Sequence, residues 1–390
     1  MKLNPIYKSS ETKSVNNKKR ISFLTGTRAD YGKIKSLLSI LNDDRKYQVD
    51  VLVTGMHLLP KYGETVSQVM LDGLGQIHLL PNQSSEQAME VSLAKTIEQL
   101  SNFIQNNMPD LLVVHGDRIE ALAGAIVGAL RNVPVAHIEG GEVSGTIDGL
   151  IRHSISKLAH IHFVANEEAK SRLMQLGENE DSIYIIGSPD VDIMFSKELP
   201  GIEDVKQRYE IPFSKYAILT FHPVTTELKD LQTQIERICT AIINSEENFV
   251  VIKSNNDLGS EIIQKVIEEK LIAKNFKHLP SMRFEYFLTL MKNSQFMVGN
   301  SSAGVRETTY YGVPSINIGS RQRNRNKSNL IIDVNAVESE ILVAISKTKL
   351  LKRDPQHSFG DGKSDQLFKE ILDKEVVWPI TTDKVFVDME

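Results

Sequence analysis

Short apolar runs alternate with amphipathic stretches along almost the whole chain, and this alternation limits the fold more than any other feature. ISFLTG from Ile21, VDVLVTG from Val49, LLVVHGD from Leu111, PVAHIEGG from Pro134, IHFVAN from Ile161 and IYIIGSP from Ile183 form a first series. YAILTFHP from Tyr216, FVVIKSN from Phe249, QFMVGNSS from Gln295 and PSINIG from Pro314 form a second. Strands buried on both faces read as such continuous runs. Between them, IEALAGAIVGALRN and IERICTAIINSE place apolar residues at helical spacing. The pattern predicts an α/β fold of parallel sheets with helices on both faces.

A chain of 390 residues exceeds one ordinary core. The charged stretch FSKELPGIEDVKQRYEIPF, residues 195–213, carries two prolines and precedes the second series. Two doubly wound, Rossmann-like domains facing across a cleft follow from this. The expected organisation is a mobile leader over 1–20, an N-terminal domain over 21–200, a C-terminal domain over 201–370 and a tail over 371–390. A helix is expected around Leu367 to Leu372, with frayed residues beyond it.

The net charge of −5 gives no pull on nucleic acid or acidic lipid, so neither is an expected partner. No apolar run reaches the roughly 20 residues that span a bilayer. The single cysteine, Cys239, reads as a small buried hydrophobe. The basic N-terminus lacks the apolar segment of a signal peptide, which fits a cytoplasmic enzyme.

Open α/β sheets bind ligands beyond the carboxyl ends of their strands, so the turns after the runs hold the candidate site. LLVV ends in His115, Asp117 and Arg118. PVAHI ends in Glu139, two glycines and Glu142, with Asp148, Arg152 and His153 beyond. Ionisable groups gathered there suggest acid/base chemistry, although solvated loop charge gives a similar pattern. LTGTRADYGKI places Arg28 and Lys33 beside a helix start, where exposed amides favour an anion. It lacks GxGxxG and a downstream acid for ribose, so a dinucleotide site is not supported. In VGNSSAGVRE, Ser301 and Ser302 sit where a helix should begin, suited to wrapping a diphosphate, or to a simple N-cap. Glu307, one turn on, suits ribose hydroxyls. His222 ends another strand and can donate to a phosphate or leaving oxygen. Arg321 is the strand-end cation of GSRQRNRNK. Neither HExxH nor CxxC occurs, and no metal is expected; GxSxG is also missing.

Taken together, TGTRADYGK, VTGMHL, VHGDRIEALAGA, HIEGGEVSGTIDGLIRHSISKLAHIHF, IIGSPDVD, FHPVTTE, GNSSAGVRE and INIGSRQ resemble the hydrolysing UDP-N-acetylglucosamine 2-epimerases of sialic-acid biosynthesis. The resemblance runs from Ile21 to Gln322. It implies a glycosyltransferase-B-like pair of Rossmann-like domains, no NAD or metal cofactor, and a homodimer or homotetramer. It further implies elimination of UDP from a UDP-sugar to a 2-acetamidoglucal, then hydration to N-acetylmannosamine. By motif match, Asp117, Glu139 and Asp148 are the carboxylates. Asp117 or Glu139 removes the C2 proton, and Asp148 supports the addition step. His222 stands near the diphosphate. Arg28, Arg118, Ser301, Ser302, Glu307 and Arg321 are UDP contacts, with Lys33, Asn255 and the Met282 loop (LPSMR, backbone toward uracil) beside them. The segment GEVSGTID matches the hydrolysing branch. A UDP-2,4-diacetamido-2,4,6-trideoxyhexose of legionaminic-acid synthesis remains an alternative substrate. Two further readings are a glycosyltransferase of the same architecture, which leaves the carboxylate group unexplained, and a non-catalytic sugar-nucleotide regulator.

Overall fold

The computed structural model describes residues 18–60, 65–82, 88–144, 147–197, 199–224, 227–254, 257–323 and 328–388. The expected leader falls largely outside them, and the first strand begins at Lys19. The first sheet has seven strands: β1 (Lys19–Thr25), β2 (Tyr47–Val53), β3 (Gln76–Leu79), β4 (Leu111–His115), β5 (Val135–Ile138), β6 (Ile161–Val164) and β7 (Ile183–Ile185). Their order is β3-β2-β1-β4-β5-β6-β7. The second has six: β8 (Ala217–Thr220), β9 (Phe249–Ile252), β10 (Phe276–Leu279), β11 (Met297–Gly299), β12 (Ser315–Ile318) and β13 (Ile331–Val334). Their order, β10-β9-β8-β11-β12-β13, repeats the first one strand short. Every pairing is parallel. These are the two doubly wound α/β domains that the alternation predicts.

The strands read as continuous apolar runs because both faces are covered. Along β4, Leu111 and Val113 enter one core with Phe23 and Leu37, while Leu112 and Val114 enter the core on the opposite face with Leu24 and Leu100. In the second sheet Leu219 and Val251 face one core, and Ile218 and Val250 the other. Cys239 is buried in the first of these, and burial pushes its thiol up to about 12, so the expected inert role fits its surroundings.

Within residues 195–213, Ile202–Tyr209 is a helix, and Val205, Ile211 and Phe213 are buried in the second domain. The helix Ser364–Asp373 lies across the expected end of that domain, yet it packs on the first. Phe368 stacks edge-on against Phe163, with ring centroids 4.7 Å apart, in the core that holds Phe23. The tail beyond it is docked rather than frayed. Lys384 Nζ donates to the carbonyls of Ser156, Lys157 and Ala159, and Val387 N–H to that of Gly177. Carbonyls at and just past the C-terminal end of the helix Ile147–Leu158 make a natural seat for an ammonium group.

In each sheet the strand order reverses at one point, between β1 and β4 and between β8 and β11. Ligands bind beyond the strand ends at such points. The second point demands glycine: Gly299 has φ +137°, and a Cβ there would stand 1.9 Å from the Thr220 carbonyl oxygen.

Candidate active site

The turns leaving both reversal points line one cleft between the domains, with a cavity volume of about 330 Å³. Of the residues singled out from sequence, Arg28, Lys33, Asp117, Arg118, Glu139, His222, Met282, Ser301, Ser302, Glu307 and Arg321 line it. Asp148 is joined to it through Arg321, whose Nη2 donates to Asp148 Oδ2 at 3.1 Å. Asn255 lies outside the described residues, as do Gly145 and Thr146 of the GEVSGTID segment.

After β1, Thr27 caps the helix Arg28–Asn42 by accepting from Asp30 N–H at 3.1 Å. Arg28 then crosses the cleft and donates to Ser281 Oγ at 3.0 Å. Lys33 differs from the expectation of a phosphate contact. Its ammonium sits 3.3 Å from Asp190 and 3.5 Å from Glu307. Burial opposes its charge, but Glu307, Glu139 and Asp190 outweigh burial and hold its pKa above the ordinary value. Glu307 keeps one carboxylate oxygen, Oε2, buried without a hydrogen-bond partner among the described residues.

Gly116, with φ +77°, turns the chain after β4. Asp117 follows and pairs with Nη2 of Arg152, whose side chain is 1% exposed. Arg152 Nε and Nη1 have no partner among the described residues, so this arginine retains donors at the cleft. Arg118 begins the helix Ile119–Leu130. Burial works against its charge, but Glu120, Asp257 and Asp148 raise its pKa overall.

After β5, Glu139 takes φ +65°, a left-handed conformation that is costly for a residue with a Cβ. Ser188 Oγ donates to its Oε1 at 2.7 Å, His115 Nε2 lies 3.5 Å away, and Arg306 Nη1 stands 2.8 Å from Oε2. Burial alone would favour the neutral acid. Arg306, Lys33 and His115 overcome it and hold the carboxyl well below the usual range. Glu139 is therefore a fixed negative charge with both oxygens engaged.

On the second domain, His222 N–H donates to Asn300 Oδ1 at 2.7 Å, and Asn300 Nδ2 donates to the His222 carbonyl at 2.8 Å. This exchange fixes the His222 loop to the strand end that bears Ser301. Ser301 caps, as its sequence context allowed, but what it caps is a 3-10 turn over Ser302–Gly304. A separate helix begins only at Glu307 and ends at Tyr310. The helix expected to begin near Ser301 and to carry Glu307 one turn on is not continuous: at Arg306, with φ −110° and ψ −75°, the backbone departs from ideal helical angles. Direct amide and hydroxyl contacts, rather than a macrodipole, are what this segment can offer a phosphate. Met282 lines the cleft and is buried against the second core.

Arg306, Asp190 and Asp30 were not singled out from sequence. Arg306 sits inside a quoted motif, but one cation between Val305 and Glu307 has no local signature. Asp30 is half-buried and lines the cleft, and desolvation raises its pKa. Its signal was the N-terminal position in the helix that Thr27 caps.

The chain matches the UDP-N-acetylglucosamine 2-epimerase family over residues 39–373. A UDP-N-acetylglucosamine 2-epimerase of Neisseria meningitidis serogroup B is 44% identical over 376 residues, 95% of this chain and 99% of that one. A hydrolysing UDP-N,N'-diacetylbacillosamine 2-epimerase of Legionella pneumophila is 34% identical over 91% of this chain and 95% of its own. Polysialic acid biosynthesis protein P7 of Escherichia coli is 34% identical over 90% and 91%. A crystal structure of UDP-GlcNAc 2-epimerase from Neisseria meningitidis bound to UDP-GlcNAc superposes with a TM-score of 0.78 at 19% identity, covering 91% of this chain and 100% of that one, and so shares the fold. With a family match over residues 39–373 and 44% identity to a relative across 95% of its length, this chain belongs to the UDP-N-acetylglucosamine 2-epimerase family.

Proposed function

We propose that the protein hydrolyses UDP-N-acetylglucosamine to N-acetylmannosamine and UDP with inversion at C2. One observation carries the reading: Asp117 and Glu139 from the first domain and His222, Ser301 and Ser302 from the second line a single cleft at both reversal points. In the first stage the C1–O bond breaks and its electrons leave with UDP. A carboxylate takes the C2 proton, and a 2-acetamidoglucal remains. In the second stage water supplies hydroxide to C1, its proton passes to a carboxylate, and C2 is protonated from the opposite face.

A C2–H beside an acetamido group is a weak acid, so its base needs an available oxygen in a water-poor site. Glu139 is stabilised as an anion and has both oxygens occupied, which suits it to oppose positive charge developing at C1. Asp117, bound by Arg152 and partly open to the cleft, is the better C2 base. Asp148, held by Arg321, serves the addition step. His222 and Arg321 face the departing diphosphate, with Arg28 and Arg118 flanking it. Free sugar as the product accords with the hydrolysing relative at 34% identity. That relative also favours a second reading, the same reaction on a UDP-2,4-diacetamido-2,4,6-trideoxyhexose; the greater identity to the Neisseria enzyme places it second. No helix among the described residues is long and apolar enough to cross a membrane. We take the enzyme to work in the cytoplasm as a homodimer or homotetramer.

The test is turnover of UDP-N-acetylglucosamine in D₂O, followed by NMR. Release of N-acetylmannosamine deuterated at C2 supports the proposal. A donor that stays intact until a sugar acceptor is added points to a transferase and overturns it. Faster turnover of the diacetamido sugar would exchange the two substrate readings.

A further inference from the structure

One side chain joins the phosphate-binding segment to the carboxylate turn across the cleft. Arg306 follows the Ser302–Gly304 turn and is 1% exposed. Its Nη1 lies 2.8 Å from Glu139 Oε2 and 3.2 Å from Glu142 Oε2. Its Nη2 lies 3.6 Å from Asp190 Oδ1 and donates to Ser188 Oγ, the hydroxyl that donates to the other oxygen of Glu139. The ring of Phe359 backs the guanidinium at 4.8 Å. Glu139 is thus gripped on both oxygens by one fork, once directly and once through Ser188.

The surroundings make that grip consequential. Facing Glu139 are Lys33 from the helix Arg28–Asn42, His115 from the end of β4, Asp190 from the helix Pro189–Met194, Glu142 from its own turn, and Arg306 and Glu307 from the second domain. Two permanent cations meet four carboxylates. Without Arg306, Lys33 alone would have to balance them, from a position already shared between Asp190 and Glu307. The left-handed backbone of Glu139 also persists only when surrounding contacts over-determine it.

We propose that Arg306 is a positioning residue that makes the charge and orientation of Glu139 conditional on the phosphate-binding wall standing against the sugar wall. Because the guanidinium belongs to the segment that follows Ser301 and Ser302, Glu139 is set as an anion only when the two walls meet. The proposal rests on the epimerase reading in one respect, that Glu139 faces the sugar.

The experiment is a titration of the Glu139 carboxyl by ¹³C NMR in full-length protein labelled at glutamate Cδ, saturated with UDP, the resonance being assigned by its loss in Glu139→Gln. In Arg306→Gln the midpoint is expected to rise by about one to three pH units, and the acid limb of kcat/KM to move with it. Arg306→Lys keeps the charge but not the fork and should give a smaller rise. KM should change much less than kcat, a division that general loosening of the fold would not produce. An unmoved midpoint in Arg306→Gln overturns the proposal. If that variant does not fold, Arg306→Lys decides, and an unmoved midpoint there is equally fatal. A shifted midpoint in a protein that turns over no UDP-sugar removes the epimerase reading and leaves the coupling. Turnover with an unshifted midpoint does the reverse.

Discussion

Replacing Asp117 by Asn should damage catalysis and stability through separable causes. Asp117 neutralises Arg152, whose side chain is 1% exposed while that of Asp117 is 25% exposed. Removing one partner of a fully buried pair costs about 3–5 kcal/mol. Water reaching Asp117 weakens the pair, so a loss of about 1–3 kcal/mol is expected instead. The catalytic loss is larger: a positioned base contributes roughly 10²–10⁴-fold, so kcat should fall by that factor while UDP still binds. The double variant Asp117→Asn/Arg152→Met separates the two effects. With the stranded guanidinium gone, urea unfolding should recover at least half of the lost stability, a coupling that distant sites do not show. Turnover should stay low. The assays are urea unfolding by circular dichroism and release of N-acetylmannosamine by NMR. The reasoning fails if Asp117→Asn keeps near-normal turnover, or if the double variant is as unstable as the sum of the single ones.

Three other outcomes are expected. Phe368→Ala should cost about 3–5 kcal/mol and expose residues 352–363 to limited proteolysis, because the helix Ser364–Asp373 is anchored in the first core through that ring. Gly299→Ala should weaken UDP binding by roughly tenfold or more in calorimetry, about 1.4 kcal/mol, because β8 and β11 must part to admit the methyl group. Glu178 is buried, which favours its neutral form, but His162 and Lys384 outweigh burial and bring its pKa from 4.5 down to about 2. A depressed carboxyl stabilises the folded state above its unfolded pKa and loses that contribution as pH falls through the folded one. Hydrogen exchange in the docked tail around Lys384 should therefore accelerate between about pH 4.5 and 2, and Glu178→Gln should abolish that pH dependence.

The fold was legible where strands are buried on both sides. All ten runs read from sequence became strands, and the three strands not anticipated, β3, β10 and β13, each lie at a sheet edge. Their sequences, QIHL, FKHL and IIDV, mix polar and apolar residues because an edge strand has fewer neighbours to satisfy. The docked helix was legible as a helix but not as a partner of the first domain, and the tail beyond it read as frayed. Nothing local distinguishes Phe368 packed against Phe163, 205 positions earlier, from the same residue packed on its own domain.

The site divides along the same line. Residues that leave a strand at a reversal point could be found from the chain alone, because topology delivers every strand end to the same side of a sheet. Asp117, Glu139, His222 and Ser301 are of this kind. What local sequence cannot express is which charges those residues meet across the cleft. Lys33 reads as an anion contact when viewed beside the helix start; the structure gives it Glu307 and Asp190 as partners. Arg306 reads as one cation in a small-residue turn, although it holds Glu139 from the opposite domain. Both pairings escape a reading that adds charges along the chain, because the protonation of a buried group is set by the charges around it in space. By sequence Asp117 and Glu139 are equal candidates for the base; in space Glu139 is the one with both oxygens already engaged. Its role turns on a guanidinium supplied 167 residues further along the chain.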